Sequence, residues 1–199
     1  MNKRIIGLTG GIATGKTTVA NYLASAKNLP IFDADIYARD AVDIGSPILH
    51  ALTQRYGEQI LLSDQSLNRE KLGKIIFAQA NERQWVESLI HPYVVQRFKA
   101  AIAESPSPQI VLVIPLLFEA KMTNLVTEIW VVRCSQLQQL QRLMQRNHLT
   151  EQQAQARINS QLSMEEKAAG ATVVLDNSST LDSLLKQVDV AVAMKITSN

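Results

Sequence analysis

The chain has almost no cysteine, little net charge and no long apolar run. One cysteine, Cys134, among 199 residues excludes an internal disulfide framework and fits a reducing compartment. Cys134 follows an apolar stretch, which points to a packed side chain rather than a reactive thiol. A formal net charge of +2 leaves no field strong enough to argue for nucleic acid or a membrane surface. The longest apolar stretch, Ile110 to Phe118, contains Pro115 and is too short to span a bilayer. Lys3 and Arg4 precede apolar residues as a signal peptide would require, but the glycines and Lys16 interrupt any apolar core of the needed length. Internal repeats and low-complexity segments are also missing. A cytoplasmic protein with no nucleic-acid, membrane or obligatory protein partner is expected.

What is present is ordinary in bulk and unusual in one place. An apolar fraction of 46% and this length suit a single domain with a real core, with room for inserted subdomains. The unusual place is residues 5–18. Ile5, Ile6 and Leu8 make a short apolar run suited to a buried strand, and Gly10 to Thr17 match G-x-x-x-x-G-K-[ST]. A loop that wraps a polyphosphate must point several backbone N–H groups inward at once. That demands φ/ψ values open to glycine, here Gly10, Gly11 and Gly15. Lys16 then supplies a positive charge for the β- and γ-phosphates, and Thr17 a hydroxyl for Mg²⁺. The helix that follows, with Val19, Ala20 and Leu23 on its apolar face, aims its positive dipole end at the same anion.

Further along, 30–33 reads as a short strand leading into Asp33 and Asp35. Carboxylates leaving a parallel strand are well placed for work, because ligands of open α/β sheets sit beyond the carboxyl ends of strands. From Tyr37 to Glu104 the pattern is helical. Ser46-Pro47 opens one helix, Gly57 ends it, Asn68 caps the next, and His91-Pro92 reads as a break. So long a helical stretch exceeds a simple crossover and reads as an insertion for a second substrate. Gln109 to Ile114, Ile129 to Val132 and Thr172 to Leu175 read as further strands. Between them, Gln136 to Arg146 reads as a helix with Arg142 and Arg146 on one face. Thr150 with Gln153 and Ser163 with Glu166 read as capping boxes, and Thr180 as the cap of the last helix.

Strands alternating with helices imply a parallel sheet. The expected class is α/β: a three-layer α/β/α P-loop fold with a five-stranded parallel sheet, a helical substrate insertion and a helical lid. The expected division is a core of 1–36, 105–134 and 170–199, an insertion at 37–104 and a lid at 135–169. Phosphoryl transfer needs positioned phosphates, a metal, neutralising cations and a group to orient the nucleophile. Lys16, Thr17, Arg142, Arg146 and Asp33 are the candidates. Other kinases of small metabolites, such as nucleoside kinases, share the loop and differ in 37–104. A GTP-binding switch would need D-x-x-G and Asn-Lys-x-Asp, and neither occurs.

The ordered set of motifs resembles the dephospho-coenzyme A kinase family from about Ile5 to Leu185. It consists of Gly-Leu-Thr-Gly-Gly-Ile at 7–12, the lysine turn at 15–17, Asp-Ala-Asp at 33–35 with Ala38-Arg39, and Asn-Arg-Glu-Lys-Leu at 68–72. Ile-Phe-Ala at 76–78, His-Pro at 91–92, Pro-Leu-Leu-Phe-Glu at 115–119 and Gln-Arg-Leu-Met-Gln-Arg-Asn at 141–147 complete it. The resemblance implies ATP-dependent phosphorylation of the ribose 3′-hydroxyl of dephospho-coenzyme A, with Mg²⁺. It implies that ATP contacts Gly11, Ile12, Ala13, Thr14, Gly15, Lys16, Thr17 and Thr18, with Arg142 and Arg146 from the lid and Asn177 near the adenine. On the acceptor side it implies Asp33 beside the 3′-hydroxyl and Leu116 and Leu117 along the coenzyme A moiety. Thr9 and His91 are further candidates for substrate contact, and Asp35 is open to holding a metal-bound ligand, contacting the substrate or capping the next helix. The family usually carries Gly-Ser-Gly-Lys-Ser where this chain has Ala13-Thr14-Gly15-Lys16-Thr17. Ala13 is not a required glycine of the general motif.

Overall fold

The architecture comes from a computed structural model that describes residues 3–194. Five strands form one parallel sheet in the order β2-β3-β1-β4-β5. They are β1 (Arg4–Gly10), β2 (Ile31–Asp33), β3 (Gln109–Val113), β4 (Glu128–Arg133) and β5 (Val173–Asp176). In register, Ile6 lies beside Val111 and Glu128, and Leu8 beside Val113 and Trp130. β1, with its run of Ile5, Ile6 and Leu8, is therefore the central strand. The chain divides into two compact units, Asp33–Ala103 and the described residues on either side of it.

The sheet is buried on both faces, and one of them carries the larger part of the core. Alternate side chains of a strand share a face, so Ile6, Leu8, Val111, Val113, Trp130, Val132 and Leu175 meet there. Helices α1 (Lys16–Lys27) and α9 (Leu181–Ala193) cover them with Val19, Leu23, Leu184 and Val188. Gly7 points the other way, and a Cβ there would come within 2.9 Å of Val126 and 3.3 Å of Leu117. The start of β1 is tied to the rest by a buried charge network. Arg4 pairs with Glu128 and donates to the carbonyls of Ala191 and Val192, while Trp130 Nε1–H donates to Glu128 Oε2 at 2.8 Å. Both charges are partnered and hydrogen-bonded, the condition under which burial is tolerated.

The same unit carries α6 (Gln136–Asn147), α7 (Glu151–Asn159) and α8 (Met164–Ala169) between β4 and β5. Their N-caps are Ser135, Thr150 and Ser163, and the last two complete reciprocal capping boxes with Gln153 and Glu166. Thr180 caps α9 through Ser183 N–H.

The other unit is helical, with α2 (Ala34–Asp40), α3 (Pro47–Tyr56), α4 (Arg69–Ala78) and most of α5 (Ala80–Glu104). Its core includes Val42, Leu49, Leu52, Ile60, Leu72 and Val86. Ser46, Gly57 and Asn68 perform the capping and stop functions expected of them. Pro92 does not. It lies inside a continuous α5 of 25 residues. Proline removes one backbone hydrogen bond and crowds the preceding turn, but Val86 before it and Val94 and Phe98 after it are all buried. That burial outweighs the local penalty.

Glu82 organises the polar side of this unit. Arg55 donates to both its carboxylate oxygens at 2.7 and 2.8 Å, and Tyr56 Oη–H donates at 2.6 Å. The Arg55 guanidinium also lies 4.4 Å from the Trp85 ring centroid. The hydrogen bonds from Arg55 and then Tyr56 hold the Glu82 carboxyl down at about 2. Burial, and then the neighbouring Glu82, push the Tyr56 hydroxyl up to about 12. The signs follow from linkage. The Glu82 contribution is present above the ordinary 4.5 and is lost as pH falls through about 2. The Tyr56 contribution is present below the ordinary 10.0 and is lost as pH rises through about 12. Carboxyl NMR should place the Glu82 titration near 2, and a titration near 4.5 would mean that the bridge is open in solution.

Candidate active site

The loop after β1 has the backbone that an anion cradle requires. Gly10 (φ 144) and Gly15 (φ 108) have the positive φ that L side chains rarely adopt. A Cβ would strike Val132 O at 2.2 Å from Gly10 and Asn177 Nδ2 at 2.3 Å from Gly15. Glycine is needed at both positions for conformation and for space. Ala13 (φ 60) is also left-handed, at a cost of about 1 kcal/mol that a glycine would not carry. The usual glycine of the family at this position thus has a conformational reason, which the general motif does not reveal. Gly15 precedes α1 and no side chain caps that helix N-terminus.

Lys16 folds back across this loop. Its Nζ donates to the carbonyls of Gly10 at 2.9 Å and Gly11 at 2.7 Å. The cationic head is therefore held against the loop. Thr14 is fully buried, and its hydroxyl donates to Gly11 O at 2.9 Å. Thr17 and Thr18 are exposed in the first turn of α1. On the far side of the loop, Asn177 Nδ2 donates to Thr14 O at 2.9 Å. The carbonyl of Asn177 accepts from Arg142 Nη2 at 3.3 Å, and Arg142 Nη1 is buried with no hydrogen-bond partner among the described residues. A half-buried guanidinium with an unsatisfied nitrogen is suited to an anionic or planar ligand. Burial raises the Cys134 thiol above its ordinary range, while Arg142 pulls the other way, so Cys134 stays in its inert form.

The family comparison settles what kind of protein carries this loop. The family model for dephospho-CoA kinase matches residues 4–183. The chain belongs to the dephospho-CoA kinase family. It is 74% identical over 196 residues to a dephospho-CoA kinase of Nostoc sp., covering 98% of this chain and 100% of that one. Among solved structures, a Thermus thermophilus protein superposes with a TM-score of 0.85 at 27% identity over the whole of both chains. A dephospho-CoA kinase from Campylobacter jejuni superposes with a TM-score of 0.71 at 25% identity over 96% of each chain.

Within this family member, the expected site residues fall into three groups. Residues 11–18, Arg142 and Asn177 are gathered around one loop. Arg146 is exposed in the last turn of α6, four residues on from Arg142, where its Nε–H donates to Asn147 Oδ1 at 3.0 Å. Thr9 and Leu117 form the second group, and both are fully buried. Thr9 donates to Pro115 O at 3.1 Å, tying the end of β1 to the turn after β3. Leu116, beside Leu117, is exposed.

The third group lies in the helical unit. Asp33 ends β2 and is the N-cap of α2, with its Oδ1 accepting from Asp35 N–H at 2.8 Å. Asp35 is exposed in the first turn of α2, and His91 is half-buried on α5. Reading the sequence left out four residues of the sheet unit. Gln139 and Gln161 hold the backbone of Ile12, and Glu119 pairs with the fully buried Lys167 at 2.8 Å. Gln139 and Gln161 stand 127 and 149 residues from Ile12, and Glu119 stands 43 residues from Leu162, so no spacing rule could have exposed these roles.

Proposed function

We propose that this chain transfers the γ-phosphoryl group of ATP to the ribose 3′-hydroxyl of dephospho-CoA, giving coenzyme A and ADP in the final step of coenzyme A synthesis. The observation that carries the reading is the loop at 10–17, in a member of this family. It has a positive-φ backbone at Gly10 and Gly15, the Lys16 ammonium held against it, and an uncapped helix N-terminus behind it. That arrangement offers backbone N–H groups, a helix dipole and one prepositioned cation to a polyphosphate.

In this reading the acceptor oxygen attacks the γ-phosphorus, the bond from that phosphorus to the bridging oxygen of ADP breaks, and Asp33 takes the proton of the acceptor hydroxyl. Lys16 follows the charge that develops on the phosphoryl oxygens, and Arg142 neutralises the rest. Arg146, exposed in the last turn of α6, is a second cation for the phosphates. Asn177 supports the loop from beneath through Thr14 and borders the adenine. Thr17 offers an exposed hydroxyl oxygen next to Lys16, a hard donor of the kind Mg²⁺ takes. Bound there, the ion would neutralise phosphate charge. Asp35, His91 and Leu116 meet the acceptor, while Thr9 and Leu117 shape its site from within the core. The cytoplasm is the proposed location. No helix among the described residues is long and apolar enough to cross a membrane.

A coupled assay of ADP release tests the reading against the nucleoside-kinase alternative. With dephospho-CoA as acceptor, ADP and coenzyme A should form one for one. Faster ADP release with a nucleoside than with dephospho-CoA would overturn the assignment.

A further inference from the structure

Both backbone groups of Ile12 are taken by side chains from far along the chain. Its N–H donates to Gln161 Oε1 at 2.9 Å, and its carbonyl accepts from Gln139 Nε2 at 2.9 Å. Gln139 is buried on α6. The fit is close, since a Cβ on Gly11 would lie 2.6 Å from Gln139 Nε2. Gln161 stands in the turn between α7 and α8, and that turn is itself anchored. Leu162 N–H donates to Glu119 Oε1 at 2.9 Å, and the same oxygen lies 2.8 Å from Lys167 Nζ of α8. Burial works to raise the Glu119 carboxyl, but Lys167 and the amide hydrogen bonds outweigh it and hold it below the usual carboxylate range.

This clamp sits where the loop most needs one. Gly10, Ala13 and Gly15 all have positive φ, and Ala13 has no glycine's freedom to offset it. Such a backbone persists only when its surroundings over-determine it. A carboxylate could accept from the N–H and an ammonium could donate to the carbonyl, but each would add a charge next to a triphosphate. A primary amide supplies an acceptor for the N–H and a donor for the carbonyl without altering the field.

We propose that Gln139 and Gln161 are positioning residues that hold the Ile12 peptide, and with it the phosphate loop, in its receiving shape before nucleotide arrives. Gln161 also couples that shape to the turn between α7 and α8. The inference rests on reading residues 10–18 as the phosphate loop. Without the amides the loop samples other shapes, and apparent nucleotide affinity falls with the fraction that is competent. Once nucleotide is bound the loop is held by the phosphates, so turnover at saturation is spared.

The test uses Gln139→Met, Gln161→Met, the double variant and Gln161→Glu, which keeps the acceptor for Ile12 N–H. Loss of one ordinary hydrogen bond corresponds to about 5-fold in affinity. The expected result is ATP and ADP binding weaker by about 5-fold in each methionine variant and about 25-fold in the double. The limiting kcat should stay within about 2-fold of the parent, because the bound loop is the same. By NMR the Ile12 amide should exchange faster in Gln161→Met and stay protected in Gln161→Glu. Unchanged nucleotide affinity in the double variant would overturn the proposal. So would kcat falling in step with thermal stability, which marks a purely structural role. Lys16→Ala is the control: if it too binds and turns over ATP normally, the phosphate-loop reading fails rather than the clamp.

Discussion

Lys16→Ala is expected to lower kcat with ATP and dephospho-CoA by about 10²–10³-fold, equivalent to about 3–4 kcal/mol of transition-state stabilisation, the scale of one preorganised group removed from a developing oxyanion. The lysine is one of few side chains that can follow charge from the bridging oxygen to the terminal phosphoryl oxygens as the bond breaks. It is already collected at the loop by the Gly10 and Gly11 carbonyls, at 2.9 and 2.7 Å. Little conformational search therefore remains when the phosphates arrive. Its removal also frees those two carbonyls, so ATP affinity should weaken as well. Lys16→Arg keeps the charge and loses the compact head. It should recover part of the binding and little of the rate. Steady-state kinetics with both substrates varied separates the two effects. A rate within a few-fold of the parent in Lys16→Ala would show that the phosphates lie elsewhere.

The second large effect is expected at Asp33. Asp33→Asn should reduce kcat by about 10²-fold or more, the scale of a positioned acid–base group, with ATP binding intact. The structural role of this residue sharpens the test. Its Oδ1 caps α2 through Asp35 N–H at 2.8 Å, and an asparagine oxygen caps a helix about as well as an aspartate. The substitution therefore leaves the cap and removes only the charge that can take a proton. Thermal stability should be unchanged while turnover collapses. Near-normal turnover in Asp33→Asn would reduce Asp33 to a helix cap. A large loss of stability with a proportionate loss of rate would point the same way.

Much of this could be read along the chain because the signals are local. The G-x-x-x-x-G-K-T loop demands a strand before it and a helix after it, and β1 and α1 stand there. The helix boundaries at Ser46, Gly57, Asn68, Thr150, Ser163 and Thr180 were legible because each is decided by a hydrogen bond spanning a few residues. Pro92 was misread for the converse reason. Its local preference for ending a helix is overruled by Val86, Val94 and Phe98, whose burial depends on partners distant in sequence. Helical periodicity puts Arg142 and Arg146 on one face but does not tell what that face meets. Arg142 reaches the Asn177 carbonyl, and Arg146 is exposed.

By itself the sequence determined the element order, the loop and its lysine, the capping residues and the family, since each rests on residue types within a short window or on their order along the chain. The tertiary structure alone decided that Ala13 is left-handed, that Thr9 and Leu117 are interior, and that Asn177, Gln139 and Gln161 carry the loop from behind. These are matters of which strangers in the sequence become neighbours in space. A polar side chain looks the same in a sequence whether it faces water or a strained peptide, and only packing distinguishes the two.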